Sequence, residues 1–199
     1  GLNRYEDEPC LLLGDKVASY GDVRRSTSQM IQALQSKGLG IGSKIAVISA
    51  NRPEVLSNIA AMQLNGSIGS PLHPIGSFDD HCYVLEHAEI DALVFDSNVF
   101  TERAKELKDK FPDLVLLGLG PNDIGDDYLA LAESFDPQPL VAPDVDPNGV
   151  SAITYTGGTT GKPKGVVLPQ RSRLLAFYQM AQEFGCYGPE DRFLGTTPM

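Results

Sequence analysis

Between Asp22 and Gly120 the apolar positions alternate between two periods. Val23, Thr27, Met30 and Leu34 step by four, three and four residues, the stripe of an amphipathic helix, and Gly38 stands where a helix stop belongs. KIAVISA over 44–50 is instead a short continuous apolar run, the pattern of a strand buried on both faces. The following stretch, 51–66, predicts a helix capped by Asn51, with Pro53 and Glu54 in its first turn and Gly66 at its end. The cycle repeats as a strand over 67–72, a helix over 77–89 and a strand over 91–96. A further helix carries Phe100, Ala104, Leu107 and Phe111, and a strand over 114–119 closes the series. Strands alternating with helices of this length predict an α/β fold, a doubly wound, mostly parallel sheet flanked by helices.

Two segments, 120–127 and 136–149, are rich in Pro, Asp, Gly and Asn, as connectors are. They divide the chain into a sub-lobe over 1–140, a linker over 141–150 and the start of a second sub-lobe over 151–199. That second part predicts strands over 151–156 and 165–170 around a glycine-rich loop. A helix follows over 171–184, whose Leu174, Phe177 and Tyr178 are expected to pack a core or border a pocket. A strand is expected to begin near 192. Without an initiator Met and with its last residues in mid-element, the chain is expected to be a piece of a longer one.

Charge sharpens the picture. The formal net charge of −10 argues against nucleic acid or an anionic membrane as partner. With no long apolar run and no leader pattern, the expectation is a soluble, cytoplasmic protein. Cys10, Cys82 and Cys186 are too scattered for a disulfide framework or a CxxC metal site. Residues 147–182 hold no Asp or Glu, where a uniform spread of the acids would place about five. The same window holds Lys162, Lys164, Arg171 and Arg173. An electropositive island in an acidic protein points to a small anionic ligand.

At its centre is TYTGGTTGKPKGVVLPQ over 154–170. Glycines let backbone N–H groups approach a phosphate without a Cβ in the way, threonine hydroxyls add donors, and a lysine adds mobile charge. Neither G-x-x-x-x-G-K-[ST] nor G-x-G-x-x-G can be fitted to these glycines, and Pro163 leads into a strand rather than a helix. The plain-turn reading of such a loop stands beside the phosphate reading, but glycines, hydroxyls, lysine and the acid-free surroundings coincide here.

YTGGTTGKPKGVV (155–167) resembles the signature loop of the adenylate-forming enzymes: acyl- and aryl-CoA synthetases, luciferases and peptide-synthetase adenylation domains. Its usual form is [YF]-[ST]-[SG]-G-[ST]-T-G-x-P-K-G, and every fixed position is filled. The stretches at 19–34 and 44–74 are similar to that family's early segments, so the resemblance covers nearly the whole chain. It implies an incomplete N-terminal domain of such an enzyme. Residues 71–96 look most like bacterial fatty-acyl-CoA ligases.

The resemblance implies that a carboxylate, typically of a fatty acid, attacks the α-phosphorus of ATP accompanied by Mg²⁺. Acyl-adenylate and pyrophosphate result, and the thiol of coenzyme A then displaces AMP. Thr156, Gly157, Gly158, Thr159, Thr160, Gly161 and Lys164 are the implied phosphate-binding residues. Lys162 falls at a variable position and is not counted among them. Gly157 stands where Ser is common, and Gln170 where His is frequent.

The catalytic residues, the adenine and ribose contacts and the metal carboxylate are expected beyond Met199, so the 199 residues alone are expected to be inactive. Two other readings stay open: an enzyme loading a carrier-protein thiol, and a catalytically silent nucleotide-binding module. Elsewhere, His81 and His87 fall on different faces of a helix, which disfavours a zinc site. Asp79 and Asp80 read as cap and dipole partners of that helix.

Overall fold

A computed structural model describes residues 2–158, 161–185, 188, 190–192, 194 and 195. Most of the strand expected from 192 onward lies outside them. Seven strands form one sheet: β3 (Lys44–Ile48), β4 (Ile68–Pro71), β5 (Ala92–Phe95), β6 (Val115–Gly118), β7 (Asp126–Asp127), β8 (Val150–Gly158) and β9 (Gly161–Pro169). Their order is β7-β6-β5-β3-β4-β8-β9, parallel throughout except for the antiparallel β8–β9 hairpin. The doubly wound, mostly parallel sheet is present as the periodicity predicts.

The continuous apolar runs are explained by burial on both faces. Along β3, Ile45 and Val47 face one core and Ala46 and Ile48 the other. β5 repeats this, with Ala92 and Val94 on the first side and Leu93 and Phe95 on the second. The first core is covered by α1 (Tyr20–Ser36), α2 (Pro53–Leu64) and α5 (Tyr128–Glu133). The second is covered by α3 (Phe78–His87) and α4 (Thr101–Lys110). Because successive side chains in a strand point to opposite faces, a strand with both faces covered must be apolar at every position.

Helix starts follow local chemistry. Capping boxes open α1, from Ser19 and Asp22, and α3, from Ser77 and Asp80. Asp80 is thus the reciprocal partner of the cap and Asp79 lies in the first turn, the roles read for them in the sequence. The start of α2 differs from expectation: Arg52, not Asn51, is the N-cap, with extended φ −153° and ψ 152°. Pro53 imposes this, since a proline pushes the residue before it out of the helical region.

Four elements were not anticipated. β1 (Pro9–Leu13) and β2 (Lys16–Ser19) form a separate two-stranded hairpin. β7, two aspartates at the sheet edge, carries no apolar signal, and α5 after it is only one and a half turns long. The series therefore extends one βα unit past 114–119. A further correction concerns α6 (Gln170–Phe184), none of whose described residues is buried. Leu174, Phe177 and Tyr178 are 58%, 56% and 65% exposed and so do not pack a core, whereas Leu174 and Phe177 do border a pocket, with Gln63, Val145, Pro147 and Ser151. No helix among the described residues is long and apolar enough to cross a membrane.

Residues 136–146 have no regular secondary structure. Their start is tied to α1: Gln29 Nε2 donates to the Phe135 carbonyl at 2.9 Å and Gln32 Nε2 to that of Asp136 at 2.8 Å. The Gln138 N–H donates to Ser28 Oγ at 2.7 Å.

Candidate phosphate-binding site

In an open parallel sheet the usual ligand crevice lies beyond the strand C-termini where successive connections diverge. Here that point is between β3 and β5, and it is filled from within. Arg52 donates to Asp96 at 2.9 Å, to Glu54 at 2.9 Å and to the Leu119 carbonyl at 2.8 Å. The loops after β3, β5 and β6 are thereby tied together, and the candidate site lies two strands away, on the β8–β9 hairpin.

The hairpin is longer than the sequence suggests. Strand pairing runs through the glycine segment as far as Gly158 opposite Gly161, so only Thr159 and Thr160 connect the strands. Those two threonines lie outside the described residues. Thr156 is paired with Lys164, and directly opposed residues of antiparallel strands share a face. The Thr156 hydroxyl lies 3.5 Å from the Lys164 carbonyl. Both residues are exposed, and a Cβ added at Gly157 would meet nothing within 4 Å. Thr156, Gly157 and Lys164 are thus brought together on an open strand end.

The two lysines separate because the register slips. From Thr156 to Gly158 β8 advances two residues, while β9 takes three to pass from Lys164 to Gly161. The extra residue makes a bulge around Pro163, which has no N–H to give a ladder. An added residue reverses the alternation of faces. Lys162 accordingly turns toward α3, its Nζ 5.3 Å from the centroid of the Tyr83 ring. Lys164 has no carboxylate partner among the described residues.

Some contacts had no signal in the sequence. Tyr155 packs against the core under α3, and its hydroxyl is hydrogen-bonded to His87 Nδ1 at 2.7 Å. Burial, with Tyr83 adding to it, pushes the Tyr155 phenol above its ordinary pKa. Gly165 lies opposite Tyr155, and a Cβ there would meet Ile153 Cγ2 at 3.1 Å and Tyr155 Cζ at 3.3 Å. That glycine makes room for the tyrosine ring, a different task from approaching a phosphate. Only a pairing of Tyr155 with a residue 68 positions earlier could have revealed this, and no local pattern encodes it.

The other face of β8, carrying Ala152 and Thr154, borders a cavity of about 210 Å³ walled by Val47, Val55, Ile59 and Met62. Ser70 and Arg173 also line it, and the buried Ser70 hydroxyl has no partner there. No group of three or more His, Cys, Asp or Glu suited to a metal ion exists among the described residues. His81 is buried and bound to its own neighbours, and His87 is engaged by Tyr155.

The mostly parallel sheet thus ends in a glycine- and threonine-rich hairpin that presents a lysine within an acid-free segment. Residues 2–199 match the AMP-binding enzyme family, and the chain belongs to it. Over its full length it is 41% identical to the medium/long-chain-fatty-acid–CoA ligase FadD8 of Mycobacterium tuberculosis, covering 36% of that protein. It is 27% identical to the 3-hydroxybenzoate–CoA ligase of an Aromatoleum species, with 97% of this chain and 37% of the relative covered. The chain thus spans about a third of the length of these curated relatives. The solved o-succinylbenzoate CoA synthetase of Bacillus subtilis, in complex with the acyl-adenylate intermediate, shares the fold. Its TM-score is 0.79 at 20% identity, over 98% of this chain and 47% of that one.

Proposed function

We propose that the full-length protein joins a carboxylic acid, a fatty acid in the first instance, to coenzyme A through an acyl-adenylate. In the first step the acid's carboxylate oxygen attacks the α-phosphorus of ATP and pyrophosphate leaves. In the second, the coenzyme A thiol attacks the acyl carbon and AMP leaves. The observation that carries this reading is the hairpin: Thr156 and Lys164 on one face, Gly157 open beside them, and no acid in the surrounding 36 residues. Identity of 41% to a fatty-acid–CoA ligase supports the acid class.

In this reading Lys164 and the Thr156 hydroxyl, with the N–H groups of Gly157, Gly158 and Gly161 and the hydroxyls of Thr159 and Thr160, hold the β- and γ-phosphates. Their effect is to neutralise charge building on the leaving pyrophosphate and to orient the α-phosphorus for in-line attack. The hairpin carries no carboxylate that could hold Mg²⁺, so no step is assigned to the ion here. Division of the chain at 141–150, with the hairpin opening a second sub-lobe, belongs to the same reading, as does a cytoplasmic setting. So does the expectation that residues 1–199 do not turn over alone.

The test is product analysis. Full-length protein given ATP, Mg²⁺, a fatty acid and coenzyme A is expected to yield acyl-CoA, AMP and pyrophosphate in equal amounts. Lys164→Ala is expected to lower kcat/KM for ATP about 100-fold, the scale for losing one donor to a developing charge. Release of ADP and inorganic phosphate, or acid-independent hydrolysis, would contradict the proposal.

A further inference from the structure

β8 has a single register pair with the sheet, Gly69 opposite Ala152, and β4 ends two residues further on at Pro71, so β8 from Tyr155 outward runs beyond it. The outer half of the hairpin, where Thr156 and Lys164 sit, therefore draws little direction from the sheet ladder. Its other support is α3. Tyr83 and His87, one helical turn apart, stack at 5.2 Å with an interplanar angle of 29°. Tyr155 meets both edge-on, at 6.1 Å and 84° from Tyr83 and at 5.7 Å and 83° from His87. Such geometry places ring edges on ring faces, the favoured arrangement of aromatic pairs. The His87–Tyr155 hydrogen bond and the Lys162 ammonium over Tyr83 complete the contact from both strands. Gly165 leaves the Tyr155 ring room against the hairpin on its inner side.

We infer that the Tyr83–His87 face of α3 is a positioning seat for the phosphate hairpin, and that the His87–Tyr155 hydrogen bond fixes the direction in which Thr156 and Lys164 are presented. The inference rests on reading this hairpin as the ATP-phosphate grip. His87 and Tyr155 touch no phosphate in this account; they act through the hairpin. The first position of the motif accepts Tyr or Phe, but only tyrosine makes this bond. Lys162, held over Tyr83, is a tether of the seat, so the motif's variable position has a task specific to this chain.

Full-length His87→Ala, Tyr155→Phe and the double variant are compared by acid-dependent ATP–pyrophosphate exchange. Each single change is expected to raise KM for ATP and for pyrophosphate about fivefold, the ratio for one hydrogen bond, with KM for the acid unchanged. The double variant is expected to match the single ones, and His87→Asn, whose amide reaches the Nδ1 position, to restore most of the loss. Unchanged KM for ATP, multiplied effects in the double variant, or an equal rise in KM for the acid would overturn the seat.

Amide hydrogen exchange without nucleotide separates this inference from the reading beneath it. Should the wild type catalyse no exchange with any acid, the enzymatic reading fails and the seat is judged by amide protection alone. Exchange across 153–158 and 161–167 about fivefold faster in His87→Ala supports it, and equal rates overturn it.

Discussion

Gly66 ends α2 at φ +73°, a conformation L side chains adopt at a cost of roughly 1–2 kcal/mol. A Cβ there would also press on Ile41 Cγ1 at 3.0 Å and Val145 Cγ1 at 3.1 Å. Gly66→Ala is expected to lower stability by about 2 kcal/mol, seen as a reduced denaturant midpoint at unchanged slope. His81, 2% exposed, carries a second prediction. Arg103 donates to its Nδ1 at 2.9 Å, which leaves Nε2–H to donate to the His73 carbonyl at 2.9 Å and makes the ring neutral. Burial, with Arg103 adding to it and the His73 carbonyl opposing, holds this imidazole below its ordinary pKa. The unfolded chain then binds the proton first. Stability conferred by neutral His81 is present above about pH 6.5 and is lost as the pH falls below it. His81→Asn is expected to flatten that slope in unfolding experiments between about pH 7 and 5. The glycine was legible from its place after a helical pattern. The histidine was not, since its partners come from a loop eight residues back and a helix 22 residues on.

At the scale of elements, the capping boxes are the most sequence-determined features of the fold. Ser77→Ala removes the oxygen that accepts the Asp80 N–H at 3.1 Å and is expected to cost about 1 kcal/mol, measured by thermal unfolding. Central strands were legible because burial on both faces leaves an unbroken apolar run, as in ALVF over β5. β7 was not, because two aspartates at an edge have no such run. The helix start at Arg52 was misread as Asn51 because cap preference spoke for asparagine while the constraint from Pro53 was the stronger one. The hairpin stands between these cases. Its two strands were visible in the sequence on either side of the glycine-rich loop, but the reach of the pairing and the bulge at Pro163 depend on register. Register is set by the opposing strand, not by local composition.

For the whole molecule, the sheet supplies a rigid base and the hairpin extends from its edge, so fold and site are coupled through β8. Leu174, Leu175, Phe177 and Phe184 of α6 are largely exposed among the described residues. The chain belongs to the AMP-binding enzyme family, and under the proposed function the hairpin brings Thr156, Gly157 and Lys164 to the nucleotide. The measurement that tests the central claim most directly is ATP–pyrophosphate exchange by the full-length protein, without coenzyme A, across fatty acids of graded chain length. The account predicts exchange that requires an acid and falls about 100-fold in Lys164→Ala. ATP binding with no exchange for any acid would contradict it and leave a nucleotide-binding module without the chemistry.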